Sequence, residues 1–472
     1  MRRVLLPAVL VVIILGAVVG AVVADQRSDH RSSASDQPTR AAATPVLSPR
    51  RLPALLVEPQ ADAALAGLLD DIVARSPDGS CLVVRRGGTE VYAHNGDRWV
   101  VPASTQKLLT SAAALETLGE DHHFTTEVRV TTPIGADGIL VGDLWLIGGG
   151  DPALDTPTYL ARFPNARPAT DLEQLADDVV AAGLTEIQGG VVGDESRYDT
   201  ARSVGSWTEG IAAANRAGPL SALMVNDGFE SFPLDTPDNL SARPAEDPAV
   251  HGAAVFDDLL EARGVRITEG SGSGPVPATA TTVATVDSPA LAEVLLQMNT
   301  DSDNTTAELL LKELAVADDV LGSTTGGAAV VVDALTDIGL PTVVVADGSG
   351  LSRNNITTCA TLTGVLDHYG PESPLATSLA VGGETGTLAG RFLDDAIRGR
   401  ISAKSGSLDD VSALAGLARS HSDETLTFAF VVNGPLLDAA AIELLQEELA
   451  GALVSWPDGP DYAQAGPQSP SG

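Results

Sequence analysis

The chain is poor in lysine. Its three lysines, Lys107, Lys312 and Lys404, stand among 28 basic residues, so arginine carries nearly all of the positive charge. An arginine keeps its proton in a protein, whereas a lysine that is removed from water can lose one and act as a base. The few lysines of such an arginine-rich sequence are therefore candidates for catalytic residues. Two of them, Lys107 and Lys404, lie in short polar motifs.

Positive charge is scarce overall. The 28 basic residues face 63 acidic ones, which gives a formal net charge of −35. A surface of this charge repels nucleic acid and offers no polybasic patch to anionic lipids, so no nucleic-acid partner is expected. With 44% hydrophobic residues the chain has ample material for a core, and its 472 residues indicate two or three domains.

Cysteine and histidine are also too few, or wrongly spaced, for several kinds of site. Cys81 and Cys359 cannot form a disulfide framework, and their apolar surroundings favour two buried thiols, although an oxidising compartment would permit a bond between them. The seven histidines show no zinc-ligand spacing, so no metal or other cofactor is expected. The chain lacks a Gly-x-Ser-x-Gly motif, which disfavours a hydrolase of the Ser-His-Asp type.

The N-terminus predicts export. Arg2 and Arg3 precede an uncharged apolar run at residues 4–24, which is long enough to span a bilayer and would leave the rest of the chain outside the cytoplasm. Residues 1–25 are therefore a cleaved signal peptide or an uncleaved signal anchor. The run exceeds the usual apolar region of a signal peptide, about 7–15 residues, and this favours the anchor.

Two further segments have compositions typical of flexible chain. Residues 26–53, rich in Ser, Asp, Arg, Ala and Pro, predict a tether between membrane and domain, and residues 456–472 predict a disordered tail. The rest of the chain would then lie outside the cytoplasm, in the cell wall or at the outer face of the cytoplasmic membrane, either anchored or secreted. The membrane is expected as a partner only through the N-terminal segment.

Strand and helix patterns divide the remaining residues into a main domain and an insertion. Strand patterns occur near residues 81–94 and again at 401–432. The simplest arrangement pairs them in one central antiparallel sheet flanked by helices, an α/β (α+β) fold. The main domain would comprise residues 54–121 and 283–455, interrupted by an inserted region of one or two smaller domains at about residues 122–282.

Ser104 and Lys107 form the first polar motif, Ser-x-x-Lys. On a helix that begins near Pro102 they share one face, with Ser104 in the first turn. A nucleophilic serine needs an adjacent base, which a lysine with a pKa lowered by burial can provide, and a helix N-terminus favours the negative charge that develops there. The alternative is that Ser104 only caps the helix and Lys107 is solvated. The companion motifs favour the catalytic interpretation.

Ser302-Asp303-Asn304 is the second motif, on a tight connection between two helical patterns. Ser302 would relay the proton between Lys107 and a leaving amine, and the Asn304 amide would hold both Lys107 and a substrate carbonyl. The alternative is an ordinary turn followed by a capping box that ends at Glu308.

Lys404-Ser405-Gly406 is the third motif, at the end of a strand pattern. Lys404 would supply positive charge, Ser405 a hydroxyl, and Gly406 room for a peptide backbone, a combination that suits the terminal carboxylate of a substrate. The backbone N–H groups of Ser104 and Ser407 are the natural pair for an oxyanion hole. The alternative is an exposed strand lysine beside a turn.

In this order the three motifs resemble the active-site set of penicillin-binding proteins and class A β-lactamases. The interval from Ser104 to Ser302 is far longer than in β-lactamases. The chain therefore resembles the class C low-molecular-mass penicillin-binding proteins, the D-alanyl-D-alanine carboxypeptidase/endopeptidase family with a large insertion between its first two motifs. Ser405 stands where Thr is more usual and keeps the hydroxyl. The resemblance covers about residues 55–455 and includes the segments 148–152, 193–194, 220–226 and 347–353.

The resemblance implies two specificity residues. Asp194 and Arg353 correspond to groups that bind the ammonium and carboxylate at the end of a diaminopimelate side chain. The alternative is a turn aspartate after a strand and a surface arginine.

The resemblance also implies a fold and an activity. The fold is a penicillin-binding/serine β-lactamase-like transpeptidase domain. The activity is that of a serine D,D-peptidase on peptidoglycan stem peptides and cross-links, with β-lactams as covalent inhibitors of Ser104. A β-lactamase would need a second base, which the sequence does not identify. A catalytically idle wall-binding protein would have lost a catalytic group, and all are present. The sequence leaves the oligomeric state open.

Overall fold

The computed structural model describes residues 52–341, 343–435 and 437–457, with side chains from Pro59 onward except at Ala212. By its internal contacts the chain divides into Met1–Pro59 and Gln60–Gly472. All of the described strands and helices belong to the second unit, except for the first residues of the helix that begins at Leu52.

Three predicted segments lie wholly or largely outside the described residues. They are the N-terminal segment 1–25, the tether up to residue 51, and the tail from residue 458. None of the helices that the structure describes is both long enough and apolar enough to cross a membrane.

Strands and helices have the following bounds. The strands are β1 (Gly79–Arg86), β2 (Thr89–His94), β3 (Thr125–Val130), β4 (Ile139–Leu140), β5 (Leu144–Ile147), β6 (Glu186–Ile187), β7 (Val191–Asp194), β8 (Phe229–Ser231), β9 (Arg243–Pro244), β10 (Arg266–Ile267), β11 (Gly272–Ser273), β12 (Thr281–Asp287), β13 (Ala380–Val381), β14 (Ile401–Leu408), β15 (Val411–Arg419) and β16 (Thr425–Asn433). The α-helices are α1 (Leu52–Ala74), α2 (Gln106–Thr117), α3 (Pro157–Leu160), α4 (Leu172–Ala181), α5 (Glu209–Ala213), α6 (Pro248–Ala262), α7 (Leu291–Asp301), α8 (Asn304–Ala317), α9 (Thr324–Asp337), α10 (Cys359–Tyr369), α11 (Pro374–Thr377) and α12 (Ala439–Ser455).

The main sheet joins the two ends of the chain. Its strand order is β13-β14-β15-β16-β1-β2, and all neighbours are antiparallel. β1 pairs with β16, so that Cys81 lies opposite Val431. The expected central antiparallel sheet flanked by helices is confirmed.

Both faces of this sheet are covered, which explains the apolar runs in its strands. In β1, Cys81 and Val83 point to a core formed with α2, α7, α8, α9 and α10. Leu82 and Val84 point to the opposite core, formed with α1 and α12. Because successive strand residues alternate between faces, a strand with two buried faces is apolar throughout.

A disulfide joins this sheet to the helical layer. Cys81 in β1 and Cys359 at the start of α10 are bonded, with their Cα atoms 6.1 Å apart. The preference for two buried thiols was therefore wrong. The two residues are 278 positions apart in the chain, and only the packing of α10 on β1 brings them together.

The region between α2 and α7 forms separate sheets. A five-stranded mixed sheet has the order β11-β7-β5-β3-β12, and smaller sheets have the orders β10-β6-β4 and β8-β9. Helices α4 and α6 pack on the larger sheet around Val128, Leu146, Leu175 and Phe256. Because β12 pairs with β3, this sheet extends to Asp287, past the predicted limit at residue 282.

The folded region extends through Trp456. This side chain is buried, and its Nε1 donates a hydrogen bond to Asp62 Oδ1 at 2.9 Å. Its assignment to a disordered tail was wrong, because the tryptophan completes the core between α1 and α12.

Candidate active site

Ser104 lies in a strained turn before α2. It follows Ala103, whose φ of 47° is in the left-handed region that residues other than glycine rarely adopt. A 3-10 turn, Ala103–Thr105, then leads into α2. Backbone strain of this kind costs about 1–3 kcal/mol and persists only where the surrounding structure holds it. The half-buried Ser104 is therefore fixed by its neighbours.

Two glycines hold this turn. A Cβ on Gly350, whose φ is 87°, would lie 1.9 Å from the Ala103 carbonyl oxygen, and a Cβ on Gly406 would lie 2.9 Å from the Ser104 nitrogen. Both segments thus contact the turn through their backbones, at a distance that a side chain would prevent. The sequence predicts that Gly406 leaves room for the backbone of a substrate. In the structure the backbone of the Ser104 turn lies against Gly406 instead. The role of Gly350 was missed.

Lys107 is positioned to act as a base for Ser104. Its ammonium nitrogen is fully buried, 3.3 Å from Ser104 Oγ, 2.7 Å from Asn304 Oδ1 and 2.8 Å from the Ser349 carbonyl oxygen. Burial lowers the pKa of Lys107 from 10.5 to about 8, although nearby carboxylates, Asp303 first among them, act in the opposite direction. A lysine with this pKa can exchange its proton near neutral pH.

The second motif connects two helices. Ser302 ends α7 with a left-handed φ of 63° and ψ of 39°, and Asp303 caps α8 by accepting a hydrogen bond from the Thr306 N–H. Asn304 Oδ1 accepts from Lys107, while its Nδ2 donates to the Arg216 carbonyl oxygen at 2.7 Å. One amide N–H of Asn304 is thereby left for a further partner. Within the described part of the chain, the Ser302 hydroxyl makes no hydrogen bond.

Sequence reasoning missed the support for Lys107. The carbonyl of Ser349 is held in place because Glu308 accepts hydrogen bonds from the N–H groups of Gly348 and Ser349. Burial raises the pKa of Glu308 to about 8. The capping box ending at Glu308 is therefore wrong, since Asp303 caps the helix and Glu308 points to the loop. The run Asp347-Gly348-Ser349-Gly350 was the only local signal for this loop.

The third motif lies on β14, beside Ser104. Lys404 is fully buried and donates to the Ser405 carbonyl at 3.0 Å. Burial, and secondly the charge of Lys107, hold its pKa well below the usual value. The Ser405 hydroxyl donates to Thr387 Oγ1 at 2.8 Å, and Ser407 is exposed.

The edge of β14 is open next to this motif. β13 pairs with β14 only at Ala403 and Ser402. Lys404 and the residues up to Ser407 therefore have no strand partner on that side among the described residues. An open edge of this kind can accept an extended peptide as an additional strand.

Asp194 and Arg353 use their charges within the protein. Asp194, at the end of β7, is buried, and its two carboxylate oxygens accept hydrogen bonds from the N–H groups of Ser196 and Val276, both at 2.7 Å. The Arg353 guanidinium is paired with Asp410 in the β14–β15 turn at 2.9 Å. These contacts favour the turn-aspartate alternative for Asp194. The specificity role of Arg353 stays a prediction.

Comparison with known proteins identifies the family of the chain. The D-Ala-D-Ala carboxypeptidase 3 (S13) family matches the chain over residues 63–241 and 231–454. The chain belongs to this family. A D-alanyl-D-alanine carboxypeptidase of Actinomadura sp. is 30% identical over 471 residues, which cover 83% of each chain. Carboxypeptidase DacB of Mycolicibacterium smegmatis is 32% identical over 362 residues, 73% of this chain and 74% of that one.

A solved structure has the same fold. Penicillin-binding protein 4 from Haemophilus influenzae superposes with a TM-score of 0.68 and 21% identity, covering 81% of this chain and 97% of that one. The resemblance to class C low-molecular-mass penicillin-binding proteins is confirmed. As a member of the S13 family, the protein is a serine-type D-Ala-D-Ala carboxypeptidase. Its site of action is extracytoplasmic.

Proposed function

We propose that this D,D-peptidase removes terminal D-Ala from peptidoglycan stem peptides, or cleaves their D-Ala-diaminopimelate cross-links, through an acyl-enzyme on Ser104. The observation that carries the proposal is the buried Lys107, 3.3 Å from Ser104 Oγ with a pKa lowered to about 8. A base with this pKa can deprotonate a serine hydroxyl at physiological pH.

In the acylation step, neutral Lys107 takes the Ser104 proton as Oγ bonds to the scissile carbonyl carbon. The carbonyl oxygen becomes an oxyanion, which the N–H groups of Ser104 and Ser407 would stabilise. The proton then passes from Lys107 through the Ser302 hydroxyl to the leaving nitrogen, and the C–N bond breaks. D-Ala, or the diaminopimelate amine of a cross-link, leaves with that proton, and the peptidyl ester remains on Ser104.

Substrate orientation is assigned to the remaining groups of the site. The free N–H of Asn304 would hold a backbone carbonyl of the peptide, which extends along the open edge of β14. Lys404 and the Ser405 hydroxyl would receive the terminal carboxylate. A bound carboxylate would restore the positive charge of Lys404, whose pKa burial and Lys107 now hold down.

In deacylation Lys107 acts again as the base. It takes a proton from water as the water oxygen bonds to the ester carbonyl carbon, the bond from that carbon to Ser104 Oγ then breaks, and the proton returns to Oγ as the shortened peptide leaves. A fast β-lactamase would need a second base for this water. Glu308 is the buried carboxyl behind Lys107, but its oxygens already accept two backbone N–H bonds. This favours a long-lived penicilloyl-enzyme over the β-lactamase alternative.

The test is acylation followed by product analysis. Benzylpenicillin should form a covalent adduct on Ser104, and Ser104→Ala should lose both the adduct and the peptidase activity. Mass spectrometry of muropeptides incubated with the full-length protein then separates the two activities. Loss of terminal D-Ala reports carboxypeptidase activity, and conversion of dimers to monomers reports endopeptidase activity. An adduct on another residue of the folded protein contradicts the proposal.

We also propose that residues 1–25 anchor the protein at the outer face of the cytoplasmic membrane. The apolar run at 4–24 supports this, since it exceeds a usual signal-peptide core. N-terminal sequencing of the membrane fraction tests it: an intact N-terminus is expected, and a start after residue 24 in the secreted fraction contradicts it.

A further inference from the structure

Arg167 of the inserted region reaches the second catalytic motif. This arginine lies in the loop between α3 and α4. Its Nε donates to Asp301 Oδ2 at 3.2 Å, and its Nη2 donates to Asp303 Oδ2 at 3.4 Å. Asp301 and Asp303 immediately flank Ser302, so a single guanidinium binds the carboxylates on both sides of this serine.

The arginine is itself held in place. Its side chain is only 9% exposed, and its guanidinium carbon lies 3.7 Å from the ring centroid of Phe163 in the same loop. A guanidinium stacked on an aromatic ring loses little further freedom when it binds a carboxylate. Arg167 therefore connects a fixed part of the insertion to Asp301 and Asp303.

Both carboxylate oxygens of Asp303 already accept hydrogen bonds. One of its oxygens accepts from the Thr306 N–H as the cap of α8, and the other accepts from Gln297 Nε2 at 2.8 Å as well as from Arg167. Because Asp303 precedes Asn304, a shift of this carboxylate would move both the start of α8 and the amide that contacts Lys107.

The insertion makes two further contacts with this end of α8. The Arg216 carbonyl accepts from Asn304 Nδ2 at 2.7 Å, and the Gly218 N–H donates to Thr305 Oγ1 at 3.1 Å. The insertion thus forms hydrogen bonds with the side chains of four residues around Ser302, namely Asp301, Asp303, Asn304 and Thr305.

We propose that Arg167 is a positioning residue for the acylation reaction: the inserted region, through this guanidinium, sets the place of Ser302 and Asn304 relative to Ser104 and Lys107. This inference rests on the proposed roles of Ser302 and Asn304. Among the described residues, Arg167 makes its hydrogen bonds with Asp301 and Asp303 and none with Ser104, Lys107 or Ser302. It acts through Asp301 and Asp303, which position the backbone of Ser302 between them. Ser302 has a left-handed backbone conformation, and its hydroxyl makes no hydrogen bond with another described residue.

The experiment separates positioning from stability by measuring two quantities in the full-length protein. The first is the fraction of molecules that a saturating fluorescent penicillin labels, which reports folded, competent sites. The second is the acylation rate constant per labelled site. A structural role lowers the labelled fraction or the unfolding temperature. A positioning role lowers the rate constant of sites that remain competent.

Arg167→Met should lower the rate constant per site by about 10- to 100-fold, since small displacements of reacting groups have effects of this size. Arg167→Lys should give an intermediate loss, because one ammonium cannot present a planar fork to two carboxylates. The matched control is Arg263→Met. Arg263 also binds two carboxylates with one guanidinium, through Asp177 Oδ1 at 2.5 Å and Glu173 Oε2 at 3.4 Å, but all of its side-chain hydrogen bonds lie within the insertion. The control should keep the wild-type rate constant.

Two outcomes overturn the inference. One is a wild-type rate constant per site in Arg167→Met, or in Arg167→Lys if the methionine variant does not fold. The other is an equal loss in Arg263→Met, which would assign the effect to the insertion in general. If the wild-type protein itself is not acylated at Ser104, the proposed function fails, and that result is distinct from either.

Discussion

Lys107→Arg should slow the acylation reaction strongly while keeping a positive charge beside Ser104. Arginine retains its proton in proteins, so it can neutralise an anion but cannot accept the Ser104 proton. If Lys107 is the base, the Arg variant should be nearly as slow as Lys107→Ala. If Lys107 acts only through its charge, the Arg variant should keep most of the rate.

The size of the effect follows from the pKa of Lys107. Lowering this pKa from 10.5 to about 8 raises the neutral fraction at pH 7 by about 300-fold, to roughly 10% of the molecules. General-base catalysis contributes about 100- to 10,000-fold to a rate, so both variants should lose a factor in this range. The wild-type rate constant should rise about tenfold per pH unit below pH 8 and level off above it, because only the neutral amine reacts.

The assay is stopped-flow acylation by a fluorescent penicillin between about pH 6 and pH 9. Ser104→Ala provides the zero, and thermal unfolding confirms that the Lys107 variants are folded. An Arg variant with a near-wild-type rate, or a wild-type rate that is independent of pH below 8, refutes the assignment of Lys107 as the base.

Three further predictions concern backbone packing, the disulfide and specificity. Gly350→Ala should abolish penicillin labelling or folding, because its Cβ would lie 1.9 Å from the Ala103 oxygen, whereas Gly270→Ala, with nothing within 4 Å, should behave as wild type in both assays. Reduction of the disulfide should lower the free energy of unfolding by about 2–5 kcal/mol, measured by denaturant titration, and an unchanged value would mean that the bond does not constrain the unfolded chain. Arg353→Met should lower kcat/KM for peptides with a free diaminopimelate end about 10-fold or more relative to small acyl-D-Ala-D-Ala analogues, since it removes a charge-assisted hydrogen bond. Asp194→Asn should affect both substrates equally, because its contacts are internal; a selective loss would restore its specificity role.

The chemistry-bearing residues could be read from the sequence because each needs a particular side chain at a particular spacing. Ser104 and Lys107 are one helical turn apart, and Lys107 is one of very few lysines. The same is true of the main sheet, since β1 and β16 are apolar runs at opposite ends of the chain that must find partners. These patterns are local, and local patterns survive in a single sequence.

Tertiary structure alone decided the contacts that control these residues. The Ser349 carbonyl on Lys107 is a backbone group, which every residue type carries, so it leaves no trace in the sequence. The bond between Cys81 and Cys359, and the contact of Arg167 with Asp303, join residues far apart in the chain. Such pairings depend on how the helices and the insertion pack on the main sheet. The sequence by itself therefore determined which side chains could react. Only the packing decided which groups hold those side chains in place. The physical reason is that they are held by backbone atoms and by residues distant in the chain, and neither leaves a local pattern in the sequence.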